Sequence, residues 1–534
     1  MDAGSALDPA SATGLASALD SASAAGPAAA VDSGSALDPA SVVGARTFLL
    51  VSLGCAKNTV DSEAMEQLLL ARGYRRASRA AAADLLIVNT CGFIESAKQE
   101  SIDTLLQLGA DKRADQKLIA TGCLVERYPH ELAAELPQID AFVGARNWSA
   151  LPRVVSQLET TTQSEAAAQP EAAARLGSVA RLGSVRRLDY GRAPAVVPQA
   201  AVLSPFEEAR APGSSLALVE LAPPGELDLE IVSRRARGPS AYLKISDGCD
   251  QRCAFCAIPS MKGNHRSKPA ELIVREVAQL LEQGVKEIVL VGQDTTRYGH
   301  DLGQRDGLAA LLEQLTDRFP ELPWIRVMYA YPRHVTERFL AVLRERPQVL
   351  PYIDMPLQHT HPWTLARMRR PHRDTDDLVA WMRDRVPGLV LRTTFIVGFP
   401  GESEAEFEYL LDSVRRLRFD RVGVFTYSNE DGTAAFAMAD QVPEAEKRRR
   451  RARLMAAARD LTLASNRQMV GRELDILIEG RPEDGSAWYA GRSYRDAPEV
   501  DGLVLVRADA LPVGGLVRVR VERALAYDLL ASPA

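Results

Sequence analysis

Gly248-Cys249-Asp250-Gln251-Arg252-Cys253-Ala254-Phe255-Cys256 carries three of the chain's six cysteines, with Cys249 to Cys256 spanning eight residues. Thiolates spaced Cys-x-x-x-Cys-x-x-Cys are soft metal ligands, one fewer than the four that close a structural zinc site or saturate an iron–sulfur cluster. The pattern predicts a centre with one open coordination position. Half of a zinc site, or three inert buried thiols, would use the same residue type. Such density directly after a strand-like run favours a ligand set.

Outward from this stretch, six strand-like runs alternate with helix-like ones. The strands are read at Tyr242–Ser246, Ile288–Val291, Ile325–Tyr329, Tyr352–Met355, Val390–Val397 and Val422–Tyr427. Helices are read at Ala270–Glu282, Leu308–Phe319, Thr336–Arg346, Thr375–Arg385 and Glu402–Leu417. This order predicts a partial (β/α) barrel, whose chemistry lies in the loops after the strands. Polar residues fall there: Cys249, Gln293-Asp294-Thr295, Tyr331, Gln358-His359 and Gly398 to Glu402. The last reads equally as a cofactor-contacting loop or as a plain turn into a helix with an acidic start. His359 and His361 read equally as core or surface histidines and as ligands. The basic run Arg448 to Arg453 lies in a helical stretch, Glu444–Ala464, and reads as a solvated face, with nucleic-acid contact as the alternative.

Upstream, from Thr47, apolar runs alternate with amphipathic ones: Phe48–Leu53 then Ser62–Arg72, Asp84–Val88 then Phe93–Leu108, Leu118–Ala120 then Val125–Leu136. Strand, helix, strand, helix indicates a parallel sheet. Cys55, Cys91 and Cys123 each follow one of these strands. Ligands of open α/β sheets sit outside the strands' carboxyl ends, so the three cysteines are expected at one edge. Gly54, Gly92 and Gly122 beside them would permit close backbone approach. Ordinary buried cysteines are the alternative; the shared position favours a second cluster.

Residues 1–45 are rich in Ala, Ser, Asp and Gly, with Gly-Ser-Ala-Leu-Asp-Pro-Ala-Ser repeated from Gly4 and Gly34, and are expected to be disordered. Residues 155–238 read as a linker or insertion, with Arg-Leu-Gly-Ser-Val repeated from Arg175 and Arg181. Arg234, Arg235 and Arg237 at its end read as a solvated charge cluster. From Val470 short strands at Glu473–Ile478, Ala487–Ala490, Gly502–Val506 and Leu516–Val521 resemble a TRAM domain, a small OB-like barrel often used to grip RNA. Here, residues 470–534 hold eight Lys and Arg against eleven Asp and Glu, net −3. A surface tracking phosphates should be basic, so a basic protein partner suits it better.

The 534 residues are enough for two to four domains, and the formal net charge of −6 argues against a chain-wide commitment to nucleic acid. With no signal sequence and no apolar run long enough to span a bilayer, a cytoplasmic protein without a membrane partner is expected. Six cysteines are too few for a disulfide framework in so long a chain.

The cysteine spacing with Phe255 before the last thiol resembles the radical S-adenosylmethionine (SAM) superfamily, where the unique iron of a 4Fe-4S cluster binds SAM. The whole plan resembles the methylthiotransferases: an amino-terminal domain (46–154), a radical-SAM partial barrel (239–468) and a TRAM domain (469–534), α/β overall with an all-β end. Ser52-Leu53-Gly54-Cys55-Ala56-Lys57-Asn58, Cys256-Ala257-Ile258-Pro259-Ser260-Met261-Lys262-Gly263, Gln293-Asp294-Thr295 and Pro356-Leu357-Gln358-His359 look like the branch that modifies an aspartate of ribosomal protein S-twelve. That resemblance implies two 4Fe-4S clusters, on Cys249, Cys253 and Cys256 and on Cys55, Cys91 and Cys123, together with SAM and an electron donor. It implies cleavage of SAM to a 5′-deoxyadenosyl radical, removal of hydrogen from the aspartate β-carbon, and delivery of methylated sulfur from the second cluster. Phe255 is the expected adenine contact, with Gln293 and Arg392 at strand ends for SAM's ribose and carboxylate. The rivals are the branch acting on a transfer-RNA adenosine, a non-catalytic two-cluster electron carrier and a zinc scaffold. The first predicts a basic TRAM surface, and the carrier needs four protein ligands per cluster.

Overall fold

The computed structural model describes residues 46–167, 218–220, 234–370, 374–481 and 487–534. The expected tail, and most of the expected linker, lie outside them. The described chain forms two compact units, 46–461 and 462–534.

In the first unit, six parallel strands make one sheet: β1 (Thr47–Ser52), β2 (Arg75–Arg76), β3 (Leu85–Thr90), β4 (Lys117–Gly122), β5 (Ala141–Gly144) and β6 (Leu218–Glu220), in the order β2-β1-β3-β4-β5-β6. Along β3 the side chains alternate between two cores. Leu85 and Ile87 pack with Met65, Leu69, Trp148 and Val154, whereas Leu86 and Val88 pack with Ile102, Leu105, Leu124 and Phe142. Both faces are therefore covered by helices, as a parallel sheet requires. One face carries α1 (Ala56–Leu70) and α5 (Leu151–Ala167); the other carries α2 (Glu95–Asp111), α3 (Cys123–Arg127) and α4 (Pro129–Glu135).

Four features differ from expectation. The helix read at Val125–Leu136 is two helices, because Pro129 starts a new one after Tyr128. Helix α1 begins at Ala56 rather than Ser62, since its polar residues Asn58, Asp61 and Ser62 face inward and are buried. Strand β5 escaped the sequence reading altogether. The linker expected from residue 155 is helical to Ala167, and β6 within it pairs with β5.

The second sheet is also six-stranded, parallel and open. Its strands are β7 (Ser240–Lys244), β8 (Glu287–Val291), β9 (Trp324–Val327), β10 (Val349–Asp354), β11 (Val390–Val397) and β12 (Arg421–Thr426), neighbours in chain order. This is the expected partial barrel. In β11, Leu391, Phe395 and Val397 join the core under the helices, while Arg392, Thr394 and Ile396 are half-buried on the other face. The barrel interior is thus lined by every second residue.

The second unit is a closed five-stranded barrel: β13 (Glu473–Gly480), β14 (Trp488–Arg492), β15 (Val504–Arg507), β16 (Leu516–Ala524) and β17 (Leu529–Pro533). Ile476, Ile478, Val504, Val506, Val519 and Val521 fill it. Strand β17, missed in the sequence, closes β15 onto β16.

Candidate functional site

Cys55, Cys91 and Cys123 follow β1, β3 and β4, which are adjacent and parallel, so the three thiols stand at one sheet edge. Gly54 has φ +93°, and a Cβ on it would lie 2.8 Å from Cys91 Cβ and 3.0 Å from its Sγ. Only glycine lets the Cys55 loop rest on Cys91. Gly122, at φ +103°, is held as tightly: a Cβ would come within 2.5 Å of the Asn89 side chain and the Thr90 carbonyl. Asn58 ties the strand ends together. Its Nδ2 donates to the carbonyls of Leu53 (2.9 Å) and Thr90 (3.1 Å), and its Oδ1 lies 4.0 Å from Cys123 Sγ. Burial pushes the Cys91 thiol up to about 11 and the Cys123 thiol up to about 12.

The second triad lies in the loop after β7. Gly248, at φ +75°, brings the chain so near the Asn264 carbonyl that a Cβ would sit 2.1 Å from it. Cys249 N then donates to the Gly263 carbonyl at 3.0 Å. Further along, Ala254 is pinned on both sides: its N–H donates to Met368 O, and its carbonyl accepts from Ala435 N, each at 2.8 Å. Burial raises the Cys249 thiol to about 11 and Cys256 to about 12. Arg370, buried, holds its Nη1 3.5 Å from Cys253 Sγ, with the guanidinium 4.3 Å over the Tyr331 ring.

All six cysteines are free thiols. Among the described residues no group of three or more Cys, His, Asp or Glu side chains stands at metal-binding geometry. The fit of each triad to an iron–sulfur cluster therefore rests on its donor chemistry. Buried thiols that resist ionisation become stable thiolates once a metal supplies the positive charge. Each triad offers three thiols, which would leave one iron position open.

The other expected residues are placed as follows. Phe255 is half-buried against Ala254, Met368, Phe399, Tyr427 and Ala435. Gln293 donates from Nε2 to Asp247 at 2.7 Å, and its Oε1 is buried without a partner. Arg392 lies near the start of β11 rather than at its end, level with the last residue of β10, and pairs with Asp354 at 2.7 Å. Gly398 to Glu402 is a turn folded around Glu402, whose carboxylate accepts from Gly398 N (2.7 Å) and Phe399 N (3.2 Å) and pairs with Arg450 (2.9 Å). Burial nevertheless lifts that carboxyl to about 7. His359 is buried, pushed down to about 3 by burial, and its Nδ1 accepts from His361 N. In the run expected to be a solvated helix face, Arg450 is buried, and Arg449 and Arg453 pair with Glu404.

Sequence reasoning missed the groups that join the two domains. Asp61 on α1 receives the ammonium groups of Lys244 and, at 3.2 Å, Lys262; Asp247 lies 3.2 Å from the former and 3.5 Å from the latter. All four are buried. Although burial opposes it, Lys244 and Lys262 hold Asp247 well below the usual carboxylate range. Arg234, expected in solvent, is instead buried between Glu63 of α1 (2.7 Å) and Glu276 (2.6 Å) of the barrel helix Ala270–Glu282. A third tie carries Lys98 and Arg127 to Glu430 at 3.0 and 2.9 Å. None follows a periodicity, and each joins residues far apart in sequence. Cys123 shares a small buried cluster with Ala145, Met261 and Ala257, the last directly after Cys256. The two triads are neighbours.

Comparison with known proteins gives three family matches: Uncharacterized protein family UPF0004 at residues 47–144, Radical SAM superfamily at 243–414 and TRAM domain at 470–533. "Ribosomal protein uS12 methylthiotransferase RimO" of Roseiflexus sp. (strain RS-1) is 43% identical over 90% of this chain and 96% of the relative. The protein of the same name from Chloroflexus aurantiacus is 42% identical over 90% of this chain and 98% of the relative. Among solved structures, the radical S-adenosylmethionine methyltransferase TsrM from Kitasatospora setae matches with a TM-score of 0.45 and 17% identity, covering 72% of each chain.

Proposed function

The chain belongs to the RimO family of ribosomal protein uS12 methylthiotransferases, and from that premise we propose that it replaces a hydrogen on the β-carbon of a uS12 aspartate with a methylthio group. The supporting observation is the buried cluster that Cys123 shares with Ala257, the residue after Cys256, so that one triad would hold the sulfur-bearing cluster near the cluster that generates the radical.

When bound, a 4Fe-4S cluster and SAM supply a carbon radical able to remove hydrogen from an unactivated carbon, which side-chain acids and bases cannot do. Cys249, Cys253 and Cys256 would hold that cluster, and Cys55, Cys91 and Cys123 a second one. Arg370 sets a positive charge beside Cys253 and favours anionic ligands there. Phe255, backed by Phe399 and Met368, offers a ring to the adenine. The unpartnered Oε1 of Gln293 can accept from a ribose hydroxyl. Arg392 has its charge engaged by Asp354, so SAM's carboxylate would have to share it. The buried ion networks join the amino-terminal domain to the barrel.

The acidic balance of residues 470–534 suits a basic protein better than phosphates. Free thiols throughout fit a reducing cytoplasm, where an electron donor is at hand. No helix among the described residues is long and apolar enough to cross a membrane.

The test is anaerobic reconstitution with iron and sulfide, then incubation with SAM, a reductant and a uS12 peptide bearing the target aspartate. The expected product is the peptide carrying one methylthio group. Modified transfer RNA with unchanged peptide would move the substrate to the RNA branch, and zinc in place of iron would end the radical reading.

A further inference from the structure

We propose that Lys57 binds the carboxylate of the substrate aspartate and sets the enzyme's preference for an acidic side chain; this deepens the uS12 reading and rests on it. Lys57 lies in the first turn of α1, directly after Cys55 and Ala56. Its side chain leaves the amino-terminal domain and enters the barrel mouth, where Nζ lies 3.5 Å above the ring centroid of Tyr329. Tyr329 follows β9 with φ +62°, a left-handed conformation that a bulky residue adopts only when its surroundings impose it. Its N–H donates to Asp354 Oδ2 at 3.2 Å, which anchors the ring beneath the ammonium.

Most of the surrounding cations are already neutralised, and Arg370 is turned toward Cys253 and the Pro356 carbonyl. Arg392 is paired with Asp354, Lys244 and Lys262 with Asp61 and Asp247, and Lys98 and Arg127 with Glu430. Lys57 makes no ion pair with a carboxylate among the described residues. A ring face attracts an ammonium but does not cancel its charge, and three N–H donors are more than one tyrosine can satisfy. The position is also the one the chemistry needs. The substrate carbon must be reached from the barrel on one side and from the Cys55 triad on the other, and Lys57 spans that seam. A carboxylate on its ammonium would hold the adjoining β-carbon in the barrel mouth, near the Cys55 loop.

The methionine portion of SAM also carries a carboxylate, so the experiment must separate the two. Wild-type, Lys57→Met and Lys57→Arg forms of the full reconstituted chain are titrated by fluorescence anisotropy with uS12 peptides bearing Asp or Asn at the target. KM for SAM, KM and kcat for the peptide, and iron content are measured alongside. Loss of one charge-assisted contact is expected to weaken Asp-peptide binding about ten- to a hundredfold in Lys57→Met. The Asn peptide changes little, so the preference collapses, and Lys57→Arg restores most of it. Iron and the KM for SAM stay as in wild type. An unchanged Asp-over-Asn preference in Lys57→Met overturns the proposal; so does a shift in KM for SAM instead, or iron lost from the variant. A wild-type enzyme that neither prefers nor modifies the Asp peptide overturns the substrate reading itself, before any variant is compared.

Discussion

Asp61, on the first helix of the amino-terminal domain, lies 3.2 Å from the ammonium of Lys262, in the barrel segment that follows Cys256. The pair belongs to a buried set of two carboxylates and two ammonium groups, completed by Lys244 and Asp247. Removing one member leaves an uncompensated charge in a low-dielectric seam, a cost of about 3–5 kcal/mol. Asp61→Leu should lower the denaturation midpoint accordingly. Asp61→Leu with Lys262→Met leaves Lys244 and Asp247 as a balanced pair and should recover part of the loss. Denaturant melts of the four proteins form the cycle; strictly additive losses would show that the charges act alone.

The neighbouring triads predict separable defects. Cys253→Ala should abolish both deoxyadenosine and methylthiolated peptide. On the proposed two-cluster reading, Cys123→Ala should retain deoxyadenosine formation from SAM, lose the methylthio product and carry roughly half of the wild-type iron, since each triad would hold its own cluster. Chromatography of the nucleoside, peptide mass and iron analysis read all three. If Cys123→Ala also lost deoxyadenosine formation while keeping the barrel cluster, the triads would not be independent.

The grouping of the cysteines was legible in the sequence because it is local: density marks one set, and position after successive strands puts the other at one sheet edge. The parallel sheets were legible for a similar reason, as buried strands write apolar runs. The joint between domains was not. Asn58, Asp61 and Ser62 are polar yet buried, and their partners Lys244 and Lys262 lie far along the chain. Amphipathic reading therefore started α1 too late, and the same blindness placed Arg234 in solvent. Lys57 met Tyr329 only once the domains were docked.

His359 gives a pH dependence with a definite sign. Burial holds its imidazole at about 3, far below the ordinary value of 6.5, so the folded chain keeps it neutral while the unfolded chain protonates it. Its contribution is therefore fully present above pH 6.5 and is lost as pH falls toward 3, at up to about 1.4 kcal/mol per pH unit. Asn at this position can still offer an oxygen to the His361 N–H, which now donates to Nδ1 at 2.9 Å. Stability measured between pH 7 and 5 should fall less steeply in His359→Asn than in wild type. Parallel slopes would remove His359 from the account.

Gly54→Ala tests the placement of the sheet-edge thiols. A methyl there would meet Cys91 Cβ at 2.8 Å and Sγ at 3.0 Å, and φ +93° is unfavourable for any side chain. The strand ends cannot easily yield, because Asn58 ties Leu53 to Thr90. Relief must come from the Cys55 loop, which would carry its thiol away from Cys91 and Cys123. The fold should survive with a loss of about 1–3 kcal/mol, while the amino-terminal cluster fails to assemble. Reconstituted Gly54→Ala should therefore resemble Cys123→Ala in iron content and in making deoxyadenosine without methylthiolated peptide. Full iron with normal peptide modification would mean that the loop absorbs the methyl, and that close contact between Gly54 and Cys91 is not what positions the ligands.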